Sequence, residues 1–461
     1  MVEPSPPSAH RVGREDDLQT LAARVASQAR GGEGLEVYVS RGVETDVRAY
    51  DGEVESLSSA ASAGVGIRVV ADGRQGFAYA GSLDEEVIAE TLDEARDNAR
   101  FATPDEHVRL AVPDGVAPAD LDVWDDALVD VSVADKVRLA IDLERRLRSA
   151  DPRIRQVSSA DYGDMAAESA IATSTGITAS TRRTVCSLSA AAIAGEGTDS
   201  HTGVGFSAGR GPAALEIDAV VADAVERATR LLGATKARSG RVTVVFDPRV
   251  SSTLLGVVSS ALSGEAVTKG RSLFAGRLGE VIAVPEVTIV DDPTDERALS
   301  AACYDAEGLA CRRNVLVQDG VLRAFVFDTT AANRAGTKST ASAVRGGYAT
   351  TPVAGCRALV LSPGALDAPA ILADVGDALY VQSVTGVHSG VNPVSGDFSV
   401  GAEGVMVRDG VFAEPVREVT IASTLQRMLL SVVHVGADLE WLPGVAAGQT
   451  LAIEGLAMSG S

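Results

Sequence analysis

Zinc hydrolases and general-base enzymes most often recruit histidine, and the chain has five: His10, His107, His201, His388 and His434. No two lie within one helical turn, so no HExxH arrangement can put two imidazoles on one helix face. The only GxSxG spacing, Gly205-Phe206-Ser207-Ala208-Gly209, lies inside a glycine-rich stretch and is not read as a nucleophile elbow. GVGFSAGRG, Gly203 to Gly211, has glycine spacing like that of a phosphate loop but lacks the Lys-Ser/Thr that holds phosphate and magnesium, so its glycines are expected to be turn residues ahead of a helix. The acids of Asp291-Asp292-Pro293-Thr294-Asp295-Glu296 could meet a hard cation, but a strand running into a Pro turn explains them equally well. The most suggestive stretch is GVHSGVNPVSGDFS. Its His388, Asn392, Asp397 and Ser399, among glycines and serines, could line a groove that holds a peptide, with a long hairpin loop as the plain alternative. No acid/base, nucleophile or metal constellation emerges, so the residues themselves predict no catalytic and no metal-binding set in this chain.

Composition narrows the classes further. A length of 461 residues predicts two domains, with three as the alternative, and 46% hydrophobic with 23% charged residues is ordinary for a globular protein. A net charge of −22 opposes phosphate binding, so no nucleic-acid partner is expected. The four cysteines, Cys186, Cys303, Cys311 and Cys356, form no CxxC pair and suit a reducing cytoplasm. No run approaches the ~18 apolar residues of a membrane span, and the Pro-rich start lacks the regions of a signal peptide. The expectation is a cytoplasmic protein with no membrane partner.

The elements that must position any site follow from periodicity. A leader over 1–15 precedes an amphipathic helix from Asp16. LEVYVS, ETDVRAY, EVESLSS, GVGIRVVA and GFAYAG alternate like strands, with Asp51-Gly52 and Asp72-Gly73 as hairpin turns. Ser82-Leu83-Asp84-Glu85 predicts a capping box, Ser132 opens another helix, and a long helix is expected from Pro212 to Leu232 before Gly233. The basic stretch 234–241 is the predicted linker. It divides an N-terminal helix-and-sheet domain, 16–233, from a β-rich C-terminal domain, 242–461, and the fold class is α+β. Asp247-Pro248 predicts the start of a helix whose apolar face is Leu254, Leu255, Val257, Val258 and Leu262, with Gly264 as its stop.

Several stretches together resemble one family. GVGIRVVADGRQGFAYAG, LLGATKARSGRVTVVFDP, SLFAGRLGE, YDAEGLACRRNVLVQDGVL, KSTASA, GVNPVSGDFSVGAEGVMVRDG, EVTIASTLQRMLLSVVHVGADLEW and the closing IEGLAMSG resemble, in number and order, the TldD/PmbA group and within it the PmbA (TldE) branch. The resemblance implies a pair of subunits. The TldD-type partner carries HExxxH on a helix and a cysteine near its C-terminus, holds a zinc, and cleaves small or unfolded peptides, including precursors of modified peptide antibiotics. The PmbA-type subunit shares the fold without the metal motif. Anchored on Lys269-Gly270 and SLFAGRLGE, that motif falls on Leu255, Gly256 and Ser260, and the ligand cysteine falls near Ala446 in WLPGVAAG. Leucine and alanine cannot donate to zinc, a neutral serine is a poor ligand, and glycine cannot be a general base.

The resemblance therefore implies a non-catalytic subunit of a heterodimeric metallopeptidase complex. It would hold no zinc of its own and take a TldD-type subunit and a peptide as partners. The competing readings are a stand-alone binding or modulator protein, the branch having been named for DNA gyrase modulation, and a biosynthetic enzyme with a different site.

Overall fold

The computed structural model describes residues 15–460, so the leader and His10 lie outside the described residues apart from the backbone of Glu15. Helix α1, Glu15–Ala26, leads into strands β1, Gly34–Tyr50, β2, Glu53–Ala71, and β3, Arg74–Ala80. Helices α2, Glu85–Phe101, α3, Asp126–Val129, and α4, Val133–Ala150, follow; then come β4, Ile154–Thr173, β5, Thr178–Ala194, β6, His201–Gly209, and α5, Ile217–Thr229. The six strands form one antiparallel sheet in the order β3-β2-β1-β4-β5-β6. The five short strands expected before Gly81 are three, because LEVYVS runs on through Arg41-Gly42-Val43 into ETDVRAY as β1, and EVESLSS runs on into GVGIRVVA as β2. Both Asp-Gly pairs do turn: φ is 53° and 80° at Asp51 and Gly52, and 52° and 69° at Asp72 and Gly73.

Three other expectations shift. The N-cap of α2 is Asp84, and Ser82 Oγ bonds Asp84 itself, accepting its N–H at 3.0 Å. Ser132 does cap α4, taking the N–H of Asp135 at 3.2 Å. The long helix from Pro212 is a short 3-10 turn at Pro212–Ala214 followed by α5, and GVGFSAGRG is mostly strand β6. A Cβ at Gly205 would collide with the Val220 carbonyl, so its glycine lets α5 lie directly on the sheet. Helices α1, α2, α4 and α5 cover one face of the sheet through two apolar clusters, one around Val37, Ile67 and Leu92, the other around Leu143, Tyr162 and Leu188. Because side chains alternate along a strand, Ser40, Glu44, Met165, Ala167 and Arg183 face the other way, toward the C-terminal half.

The C-terminal half has strands β7, Gly240–Phe246, β8, Ile289–Asp291, β9, Asn314–Gln318, β10, Val321–Leu322, β11, Ala343–Val344, β12, Val353–Ala354, and β13, Leu359–Leu361. These are followed by β14, Ala378–Thr385, β15, Asp397–Arg408, β16, Val411–Thr424, β17, Val432–Val435, and β18, Leu451–Ser459. One sheet runs β16-β15-β14-β7-β18-β17, and β16 also pairs with β18, so five of its strands close into a ring. Only β14 and β7 are parallel. The two similar hairpins turn alike, at Asp319-Gly320 and Asp409-Gly410, with φ of 50° and 76°, and of 49° and 79°.

Helix α6, Pro248–Ala261, is capped by Asp247, whose Oδ1 takes the N–H of Arg249 at 3.0 Å. Gly264 does not stop it; the helix ends at Ala261 and Gly264 opens the short α7, Gly264–Thr268, donating its N–H to Val326 at 2.7 Å. The stretch 234–241 is tied down: Thr235 donates to Pro415 and accepts from Arg417, and Lys236 pairs with Glu418 at 3.2 Å.

The two halves meet through a buried ion cluster. Arg68 Nη2 donates to Glu36 and, at 3.4 Å, to Glu307. Arg345 Nη2 donates to the other Glu36 oxygen at 2.7 Å and to the Ala306 carbonyl at 2.6 Å, with its guanidinium 4.5 Å from the centre of the Tyr38 ring. Glu307 also takes the N–H and hydroxyl of Thr329. Beside the cluster, Gly66 of β2 lies against the backbone of Tyr348, where a Cβ would collide with the Tyr348 carbonyl. All four charged side chains are at most 4% exposed, so removing one strands the others without water. Arg68→Met is expected to cost about 3–5 kcal/mol in urea unfolding. Arg24→Ala, which breaks the exposed pair with Glu85, should cost less than about 1 kcal/mol. Equal losses in the two variants would show that the cluster does not join the halves.

Candidate functional site

Between the free face of the N-terminal sheet and the loops of the C-terminal half lies a cleft with two adjoining cavities, and a third lies within the C-terminal half. The first, about 310 Å³, is walled by Tyr38, Arg41, Glu168 and Arg183 on one side and by Tyr304, Asp305, Arg345, Tyr348 and Arg357 on the other. The second, about 480 Å³, shares Glu44, Met165 and Arg183 with the first and reaches Pro443 and Gly444. The third, also about 480 Å³, lies beyond Val445 and Cys356 and is lined by Ser260, Glu265, Lys269 and Arg271.

The positions aligned with the metal motif divide between two faces of α6. Leu255 is buried among Ile289, Leu361 and Ile453 in the apolar core. Gly256 points at open space, and Ser260, one turn on, is exposed in the third cavity. Ala446 is buried, its carbonyl taking the Ser252 hydroxyl at 2.7 Å. Near Ser260, Glu265 is paired with Lys269 at 2.5 Å, and burial pushes the Cys356 thiol well above its ordinary range. A methyl group, an aliphatic side chain, a glycine, a hydroxyl and a protonated thiol do not make a zinc site. No group of three His, Cys, Asp or Glu side chains suited to a metal exists among the described residues. The positions aligned with the metal motif therefore do not supply a zinc ligand set.

His388, Asn392, Asp397 and Ser399 lie together, all exposed, on the connection from β14 into β15. Asn392 Oδ1 takes the N–H of Val394 at 2.9 Å, and Asp397 takes the Ser395 hydroxyl at 2.7 Å, so these polar groups close the loop on itself. Pro393 accepts from Leu273 at 3.3 Å, which fastens the loop two residues beyond Arg271 of the third cavity. The strand behind it is not an edge: Asp397 to Val400 pair with β16, and Val391 bridges Phe398 on the other side.

The acid run is a turn. Asp292 takes the N–H and hydroxyl of Thr294, while buried Asp291 holds the N–H groups of Arg357 and Ala358, each at 2.8 Å. His201 meets Asp199 at 3.2 Å and His434 meets Asp374 at 2.7 Å, far apart in the fold.

Sequence reasoning missed the cleft-lining arginines and acids. Some of the cleft and of the adjoining ion cluster lies inside family-like stretches: Arg68 in GVGIRVV, and Tyr304, Asp305 and Glu307 in YDAEG. Asp305 accepts the N–H groups of Glu307, Leu309 and Ala343. Burial, reinforced by the Glu307 charge, pushes its carboxyl up to about 7. Burial and then Glu307 also raise Asp328, the N-cap of helix α8, Thr329–Ala335, to about 6.

The comparisons with known proteins agree with one another. A family model described as the PmbA/TldA metallopeptidase C-terminal domain matches residues 239–460, that of the central domain matches 126–232, and that of domain 1 matches 35–99. The chain belongs to the PmbA/TldD metallopeptidase family, in its PmbA/TldE branch. It is 29% identical over 422 residues to the metalloprotease PmbA of Escherichia coli O157:H7, covering 91% of each chain. Among solved structures it is similar to a protein of Bacteroides thetaiotaomicron described as a candidate modulator of DNA gyrase, with a TM-score of 0.85, 27% identity and coverage of 97% and 99%. TldE of Thermococcus kodakarensis has the same fold, with a TM-score of 0.85 at 23% identity, covering 93% of this chain and 97% of that one. No helix of the described residues is long and apolar enough to cross a membrane.

Two measurable consequences follow. An acid whose folded pKa is raised keeps a proton that the unfolded chain releases, so its penalty eases as pH falls through the folded value toward 3.8. Glu36 does not oppose this. Burial raises its carboxyl, the Arg68 and Arg345 charges more than offset that, and the lowered pKa makes its contribution vanish only in acid. The melting temperature is therefore expected to be higher at pH 6 than at pH 8. Asp328→Asn, which keeps a capping side chain, should raise it at pH 8 and shrink the difference. Separately, Leu255→His is expected to cost about 2–4 kcal/mol, because it replaces a packed aliphatic group with a buried polar ring. Added zinc should not restore the loss; full restoration would mean that α6 can still present a ligand there.

Proposed function

We propose that this chain is the non-catalytic subunit of a TldD/TldE-type peptidase complex and forms one wall of a chamber for small or unfolded peptides. The observation that carries the reading is α6. The helix and the cleft beside it are intact, while Leu255 is turned into the core and Gly256, Ser260 and Ala446 offer no ligand set. A TldD-type partner would bring the zinc and the water-activating base, and this chain would bind and align the peptide.

Two features suit that role. The outer edge of β2 over Glu53–Ser62 is exposed, no strand pairs with it among the described residues, and Ser62 reaches the first cavity. An extended peptide can add to such an edge through main-chain hydrogen bonds without a fixed sequence. The loop of His388, Asn392, Asp397 and Ser399 would form the rim beside the third cavity, with Asp397 and Asn392 keeping its shape.

The test is co-expression with a TldD-type subunit. Cleavage of an unfolded peptide is expected to need both chains, with the zinc in the partner and less than about 0.1 zinc per copy of this chain when it is purified alone. Full activity of the partner alone, or stoichiometric zinc in this chain, would refute the proposal.

A further inference from the structure

The cleft contains two cations for which the described residues supply no paired carboxylate. Arg183 projects from β5 into the first and second cavities, and Arg357 faces it across the first. The other arginines of the first cavity are matched. Arg41 is bonded to Glu168 at 2.7 Å, and Arg345 to Glu36 at 2.7 Å. Nearby Arg210 donates to the carbonyls of Ala298 and Leu299. Among the described residues no carboxylate comes within ion-pair reach of Arg183 or Arg357. Glu44 and Asp291 act on them only at longer range, and Asp305 in the wall is engaged by three backbone N–H groups. Burial, and then the like charge of Arg357, lower the pKa of Arg183, so the pair repels itself as it stands. In a chain of net charge −22, an uncompensated guanidinium pair facing an enclosed space is out of keeping with the rest of the surface.

We propose that Arg183 and Arg357 form a carboxylate clamp, taking the carboxylate of a bound peptide, either its C-terminus or an Asp or Glu side chain. Guanidinium groups match a carboxylate with paired N–H donors, and two of them flanking a cavity of about 310 Å³ give such a group a defined seat. Tyr38, Tyr304 and Tyr348 around the seat offer ring faces and hydroxyls to the residue next to the carboxylate. The clamp rests on the peptide-chamber reading and adds to it a polarity, because the peptide is anchored at a negative group while the rest stays free to lie along the cleft.

The experiment is calorimetric titration of the full chain with three alanine peptides. These are a free acid, its C-terminal amide, and an amide carrying one internal glutamate. The free acid, the glutamate peptide or both are expected to bind roughly 10- to 100-fold more tightly than the plain amide. Whichever carboxylate peptide binds more tightly identifies the source of the group. Arg183→Gln and Arg357→Gln should each abolish the preference. Because neither side chain has a carboxylate partner to lose among the described residues, the melting temperature of Arg183→Gln should be unchanged or higher. A preference that survives both variants, equal binding of the plain amide, or no peptide binding at all would overturn the clamp. So would inorganic phosphate binding as tightly as the peptide, or a lowered melting temperature in Arg183→Gln. Partner-dependent cleavage is a separate readout, so failure of the subunit role would leave this binding result standing, and the reverse.

Discussion

The cleft exists because Arg68, Glu36, Glu307 and Arg345 meet inside the protein. Two of them come from the N-terminal sheet and two from the C-terminal half, so the cluster can be satisfied only when the halves sit in one relation. A hydrophobic interface tolerates sliding, but charges at most 4% exposed do not, since each displaced partner is left in a medium that cannot solvate it. Tyr348 against Gly66 adds a steric stop at the same place. With the halves fixed at this edge, the remaining sheet face cannot close on the C-terminal loops, and the first two cavities are the space left between them.

Much of the fold was legible in local chemistry. The Asp-Gly turns, the Ser132 cap, the Asp247 start of α6 and its buried leucines all come from interactions within a few residues. The misplacements have the same origin. Ser82 was expected to cap because Glu85 follows at the right spacing, yet Asp84 competes for the same hydroxyl. The glycines of GVGFSAGRG looked like a loop because sequence alone does not reveal that a helix from later in the chain will rest on them.

The site was less legible, because its residues come together only in space. Arg41, Arg183, Arg345 and Arg357 lie on separate elements, and nothing in the spacing of single arginines marks them as facing one cavity. The readable polar stretch, His388 to Ser399, was conspicuous for turn residues, and its groups mostly bond one another. The family-like stretches held more of the site than the chemical motifs did, since YDAEG and GVGIRVV supply both sides of the ion cluster.

Helix α6 explains how the fold can keep its architecture with Leu255, Gly256 and Ser260 at the positions aligned with the metal motif. Its Leu254, Leu255 and Val258 face packs into the core of the C-terminal half, and the Gly256 and Ser260 face looks outward. Successive residues on a helix are about 100° apart, so adjacent positions can belong to different environments. At 255 the environment is the core, where a leucine adds apolar burial and a histidine would need a hydrogen-bonding partner that Ile289, Leu361 and Ile453 cannot provide. At 256 and 260 the environment is open, and small residues there remove bulk from the cleft without touching the packing. With these residues the core of the helix stays filled and its outer face is left roomy, so the two faces of α6 vary independently.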